Sequence, residues 1–166
     1  MKPDTITCTR KIEIDAGHRI PNHHSKCRHI HGHRYVIEAT VRGILIMDGP
    51  SEGMIIDFGF LKDYMMTVIH NRCDHTLILC KWDPLLPTLE PDENYKSHGS
   101  TEWEVRETKY TRVYVIKDVP TAENLAKHWF HQLNEQIRSG PEPATLEKLR
   151  VYETPNCWAD HYRQLP

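Results

Sequence analysis

The chain has no excess of either charge: 21 Lys and Arg stand against 23 Asp and Glu, a formal net charge of −2. Proteins that coat nucleic acids or lie on anionic membranes carry a basic surplus, so those classes are excluded as a first reading. There is no apolar run near the roughly 20 residues that cross a bilayer. The first residues lack the basic and then apolar stretch of a secretory leader, so the expected compartment is the cytoplasm. Cysteine is too sparse for a disulfide framework. The five (Cys8, Cys27, Cys73, Cys80 and Cys157) are odd in number, which favours free thiols. There is no internal repeat and no sign of a second domain. The 166 residues, 39% of them apolar, suit one domain spanning 1–166 with a core of its own.

Histidine, by contrast, is abundant. Twelve are present, and His18, His23, His24, His29, His31 and His33 crowd into sixteen positions. Solvated histidines do not ordinarily cluster so densely, and the run directs attention to metal binding or proton transfer.

Hydrophobic periodicity organises the rest. Ile6 to His18 reads as a strand with Ile12, Ile14, Ala16 and His18 on one face. Arg19 to Ile30 reads as a loop, and His31 to Ile46 as a second strand with Gly43 as a bulge. Gly49 to Gly53 is a turn. A helix is expected from Phe58 to His70, capped by Asp57, with Phe58, Leu61, Met65, Val68 and Ile69 inward. A second is expected from Ala122 to about Arg138, with Thr121 as its cap and Leu125, Ala126, Trp129, Phe130, Leu133 and Ile137 as its buried stripe. Tyr110 to Ile116, Leu146 to Thr154 and a short last segment near Cys157 to Arg163 read as strands. Lys81 to Lys109, rich in Pro and Glu, reads as an inserted surface segment. The order is that of an α+β fold with an antiparallel sheet.

The strongest chemical signal is His31-Gly32-His33 at a strand start. Residues i and i+2 of a strand share a face, and an antiparallel partner ending at His18 brings a third imidazole beside them. Three neutral imidazoles leave one position of a tetrahedral zinc open, the mark of a catalytic centre. Cys27, four residues before His31, has three readings: a fourth ligand closing a structural site, a general base stabilised by a nearby cation, or a buried thiol. Asp74 beside His75 can orient an imidazole. Glu153 near a strand end can accept two parallel hydrogen bonds from a guanidine-like edge, or pair across the sheet. Thr121 and Glu123 stabilise a helix start; contact with a substrate is their second reading.

Taken together, Asp15-Ala16-Gly17-His18, Cys27-Arg28-His29-Ile30-His31-Gly32-His33, Gly53-Met54-Ile55-Ile56-Asp57-Phe58, Asp74-His75, Pro120-Thr121-Ala122-Glu123-Asn124-Leu125-Ala126 and Val151-Tyr152-Glu153-Thr154 resemble, in order, the 6-pyruvoyl-tetrahydropterin synthase and 6-carboxy-tetrahydropterin synthase family. The resemblance reaches from about Ile6 to Tyr162, with the Lys81–Lys109 insertion outside it. It implies the tunnelling fold: a four-stranded antiparallel sheet with two helices on one face, self-associating through pooled strands, usually as a homohexamer of two stacked trimers. It implies Zn2+ on His18, His31 and His33, proton transfer by Cys27, Asp74 and His75, and a pterin edge clamped by Glu153. The implied substrate is 7,8-dihydroneopterin triphosphate, with Arg19, Lys26, Arg28 and Arg34 as candidate cations for its phosphates. The spacing Cys-x-x-x-His-Gly-His is similar to the carboxy branch, which feeds queuosine and other 7-deazapurines; the pyruvoyl branch and a non-catalytic zinc or pterin binder are the alternatives. Cys73 departs from the family, which usually has an apolar residue there.

Overall fold

The computed structural model describes residues 4–94 and 97–164. Two long strands form its spine. β1 (Ile6–His18) buries Ile12, Ile14, Ala16 and His18, and β2 (His31–Gly43) buries Tyr35, Ile37, Ala39 and Val41. They pair antiparallel along their whole length, from Ile6 opposite Gly43 to His18 opposite His31. Directly opposed residues of such a pair point to the same side, so one face of the hairpin is apolar throughout.

β2 ends at Gly43, three residues earlier than the pattern predicts. The irregularity in its pairing falls at Thr40/Val41 instead. Glycine at 43 answers to packing, since a Cβ there would meet the Ile55 Cβ at 3.2 Å. The turn over Gly49–Gly53 is present, with both glycines at positive φ.

The apolar face is covered by two helical segments. α1 (Phe58–Met65) starts where the Asp57 carboxylate accepts the Gly59 N–H, runs on through a π-turn (Met66–His70), and ends in α2 (Asn71–Cys73). It buries Leu61, Met65, Val68, Ile69 and Cys73. Phe58, expected inward, is 53% exposed because it sits at the first helical position, beyond the sheet's cover. α3 (Ala122–Ser139) buries all six residues of its expected stripe, and Thr121 caps it by accepting the Asn124 N–H at 3.3 Å. Trp129 lies at the centre with Tyr35, their rings edge to face at 6.5 Å.

The sheet has eight strands, not four, in the order β4-β5-β6-β3-β1-β2-β7-β8. β7 (Thr145–Thr154) and β8 (Cys157–Tyr162) extend the hairpin on the β2 side. On the other side β3 (Thr76–Cys80) runs parallel to β1, and β6 (Arg112–Ile116) parallel to β3, so the sheet is mixed rather than wholly antiparallel. β3 escapes a periodicity search because all five of its residues are buried; a strand covered on both faces shows no alternation. Its second face packs Leu77 and Leu79 with Val113, Val115 and Leu86 in a separate apolar cluster.

That cluster draws in the segment expected to lie loose at the surface. Within it are a 3-10 turn (Leu86–Thr88), β4 (His98–Gly99) and β5 (Trp103–Glu107), which pairs with β6. Residues 95 and 96 of the segment lie outside those described. No helix among the described residues is long and apolar enough to cross a membrane.

Candidate metal centre

The hairpin register brings the three histidines together. His18 stands opposite His31 and Ala16 opposite His33, so all three imidazoles rise from the helix-packed face at the open end of the pair. The glycine between the two β2 histidines keeps the strands close: a Cβ at Gly32 would approach the Ala16 carbonyl oxygen to 3.1 Å. One nitrogen from each ring lies within 4.8 Å of the others, and among the described residues no other set of three His, Cys, Asp or Glu side chains converges so. Ring centroids are 4.5 Å apart for His18 and His31, 5.2 Å for His18 and His33, and 5.1 Å for His31 and His33.

Backbone carbonyls fix the tautomers. His18 Nδ1–H donates to Pro120 O at 2.7 Å and His31 Nδ1–H to His29 O at 2.8 Å. A carbonyl only accepts, so each Nδ1 carries the hydrogen and each Nε2 turns a lone pair inward. The two Nε2 atoms are 3.1 Å apart, and His33 Nε2 is buried with no hydrogen-bond partner. Converging lone pairs and an orphaned buried nitrogen are the donor set a divalent cation satisfies, and three imidazoles fit zinc. Burial pushes the His18 imidazolium down in pKa, offset in part by Pro120 O and Glu153 and reinforced by His31 and His33. His33 is likewise depressed, first by burial. Both are thereby held neutral, the ligating form.

Glu153 faces this centre. Its Oε1 is 3.4 Å from His18 Nε2 and 3.9 Å from His33 Nε2. Beside it opens a cavity of about 200 Å³ whose walls include His18, Cys27, Thr121, Glu123 and Glu153. Five of the sequence-derived site residues therefore share one pocket. Thr121 is a helix cap and a wall residue at once. Cys27, in the 3-10 turn Lys26–Arg28, is not part of the converging metal set.

Asp74 and His75 are elsewhere. Asp74 Oδ1 accepts the Asp15 N–H at 2.9 Å, and its Oδ2 is 2.9 Å from His75 Nδ1. Burial alone would raise this carboxyl; the Asp15 N–H and His75 hold it below the usual range. His75 adopts a φ of 56° and its side chain is 80% exposed. Asp15 and its partner Arg34, two hydrogen bonds at 3.0 Å, are on the sheet face opposite the imidazoles. His75 lines another open cleft with Asp15, Gly32, Arg34 and His33 of the histidine set. Cys27 is not among the walls of that cleft, and neither Asp74 nor His75 is among those of the Cys27 pocket.

The four candidate cations also divide. Arg34 is held by Asp15, and Arg19 lies 3.3 Å from the wholly buried Asp83. Lys26 and Arg28 flank Cys27 and are exposed. Sequence reading passed over three participants: the carbonyls of Pro120 and His29, and Tyr35, whose ring sits edge-on beneath His18 and His33 at 5.8 and 5.6 Å. Tyr35 had a signal, since it lies two residues past His33 on the same face. The carbonyls had none.

Comparison with known proteins agrees with this geometry. The chain is 35% identical to a 6-carboxy-5,6,7,8-tetrahydropterin synthase of Rickettsia bellii over 155 residues, 93% of this chain and 99% of that one. It is 25% identical to the enzyme of that name from Haemophilus influenzae over 156 residues, 92% and 96% of the two chains. Among solved structures, an uncharacterised protein of Wolinella succinogenes superposes with a TM-score of 0.75 at 23% identity, covering 96% of this chain and 99% of that one. The 6-pyruvoyl tetrahydropterin synthase of Caenorhabditis elegans superposes with a TM-score of 0.64 at 22% identity, covering 99% of each. These two likenesses carry the fold. Residues 7–164 match the family described as 6-pyruvoyl tetrahydropterin synthase, and the chain belongs to that family.

Proposed function

We propose that the protein is a zinc-dependent 6-carboxy-tetrahydropterin synthase, converting 7,8-dihydroneopterin triphosphate and water to 6-carboxy-5,6,7,8-tetrahydropterin, acetaldehyde and triphosphate. The observation that carries the reading is the convergence of His18, His31 and His33, with His18 also lining the pocket that holds Cys27 and Glu153. The carboxy product, rather than the pyruvoyl one, is supported by the names of the relatives at 34–36% identity and by the Cys27–His31 spacing.

When bound, zinc supplies a Lewis acid that acidifies the hydroxyls of the substrate side chain. The protein's own groups do the rest. His18 and His31, locked by Pro120 O and His29 O, keep their lone pairs on target without reorganisation. Glu153 accepts the amino-pyrimidinone edge, and Thr121 and Glu123 close the wall beside it. Cys27 takes a carbon-bound proton as general base. Lys26 and Arg28, beside it and without carboxylate partners among the described residues, are best placed for the triphosphate. Asp74 orients His75 through its 2.9 Å contact, and the pair returns a proton to the ring. Because His75 lines a different cleft from Cys27, beside Asp15 and Arg34, we assign the pair to the pocket of a neighbouring copy in a homo-oligomer. The reading places the protein in the cytoplasm, in 7-deazapurine synthesis. The test is identification of the products from the dihydroneopterin substrate by mass, with acetaldehyde trapped.

A further inference from the structure

We propose that Cys27 and Cys157 form a reversible disulfide across the pocket, a modification site through which a hydroperoxide switches the enzyme off. The inference rests on the reading of Cys27 as the working thiol and adds a partner for it.

Both sulfur residues line the 200 Å³ cavity with His18 and Glu153. Cys157 is exposed and opens β8, paired with Thr154 across a two-residue turn. Alternation along β8 sets its direction. Ala159 packs on the main core, and the His161 ring is 4.8 Å from that of Phe130 on α3. Cys157, in the same phase, turns to the helix-packed face, where Glu153 and the imidazoles lie. Trp158 takes the other face, against Tyr152 at 5.4 Å. Cys27 is half-buried in the short 3-10 turn Lys26–Arg28, and Cys157 is the exposed first residue of β8, beside its two-residue turn, so both thiols lie at the rim of the fold rather than in its core. No other thiol competes. Cys73 and Cys80 are buried, and Cys8 is ten positions up β1 from His18, about 33 Å along an extended strand.

The chemistry balances with a hydroperoxide as oxidant. The Cys27 thiolate attacks the peroxide O–O bond, giving Cys27 sulfenic acid and one hydroxide. The Cys157 thiol loses its proton and attacks the sulfenic sulfur; the S–S bond forms and a second hydroxide leaves, taking that proton to become water. Two electrons pass from the two sulfurs to the peroxide, and an external dithiol returns them. A resolving thiol on the wall of the same cavity diverts Cys27 from sulfinic acid, from which there is no simple return.

The experiment uses the zinc-loaded full chain, treated with stoichiometric hydrogen peroxide, alkylated and mapped by peptide mass. The expected result is a Cys27–Cys157 linked peptide, a monomer band on a non-reducing gel, and turnover that dithiothreitol restores. In Cys157→Ser the linked peptide is absent, and peroxide adds two oxygens at Cys27 that dithiothreitol does not remove. Oxidation of Cys27 in the unsubstituted chain without the linked peptide, or a link between chains, overturns the proposal. The mapping needs neither turnover nor a variant. A linked peptide in a protein that never processes the pterin leaves the disulfide standing and fails the functional reading. A normal enzyme without the link fails this inference alone.

Discussion

His18 and His31 set their Nε2 atoms 3.1 Å apart while each gives its Nδ1 hydrogen to a backbone carbonyl. Neither nitrogen of that close pair carries a hydrogen to share, so the contact is repulsive until a cation lies between the rings. The fold thus holds two lone pairs in a geometry that a bound cation would relieve, and His33 Nε2, buried and without a hydrogen-bond partner, offers the third.

Metal content is expected at one zinc per chain, and His31→Ala or His33→Ala should abolish it. Elemental analysis after dialysis measures this; full zinc in the double variant excludes the site. Burial depresses His18 and His33, so the neutral ligating form survives further into acid than in an ordinary histidine. Release of the metal on acidification should accordingly begin below the usual imidazole value of about 6.5.

Cys27→Ala should keep its zinc and its melting temperature and lose about 10²- to 10⁴-fold in turnover, the range for removal of one proton-transfer group. A variant that loses metal would make Cys27 a ligand instead.

The separation of Cys27 from Asp74–His75 predicts subunit complementation. Cys27→Ala and His75→Ala chains, each inactive alone, should regain activity when unfolded together and refolded as mixed oligomers, because some pockets then receive both intact groups. Activity that stays at the level of the separate variants places both groups in one chain's pocket.

Acid sensitivity has a second source on α3. His128 meets the Tyr114 hydroxyl at 2.9 Å and Gln132 Nε2 at 2.6 Å, and burial followed by the charge of Arg72 lowers its pKa to about 4. The unfolded chain binds this proton near pH 6.5 and the folded one does not until about 4. The contribution is therefore complete above 6.5 and lost as pH falls towards 4, about 3 kcal/mol in all. Denaturant unfolding of the metal-free protein across that window should show the slope, and His128→Gln should flatten it. An equal slope in both proteins excludes His128 as its cause.

Legibility in the sequence followed burial. β1, β2, β7 and α3 each have one wet and one dry face, so their periods of two and 3.6 declare them, and the register of the first pair delivers the histidine triad. β3 was hidden because it is dry on both faces. β5 was hidden because Trp-Glu-Val-Arg-Glu buries only Val105, leaving too little pattern to count. The position of Asp74–His75 depends on the two-residue parallel contact of β1 with β3, which no local signal encodes. Cys157 reads only as the start of a short last strand, and the pairing of β7 with β8 is what sets it on the pocket with Glu153.

The central claim is the reaction itself. Zinc-loaded protein incubated with 7,8-dihydroneopterin triphosphate, with acetaldehyde trapped and the pterin identified by mass, should yield 6-carboxy-tetrahydropterin and acetaldehyde in equal amounts. Pyruvoyl-tetrahydropterin without acetaldehyde, or unchanged substrate, would contradict the account.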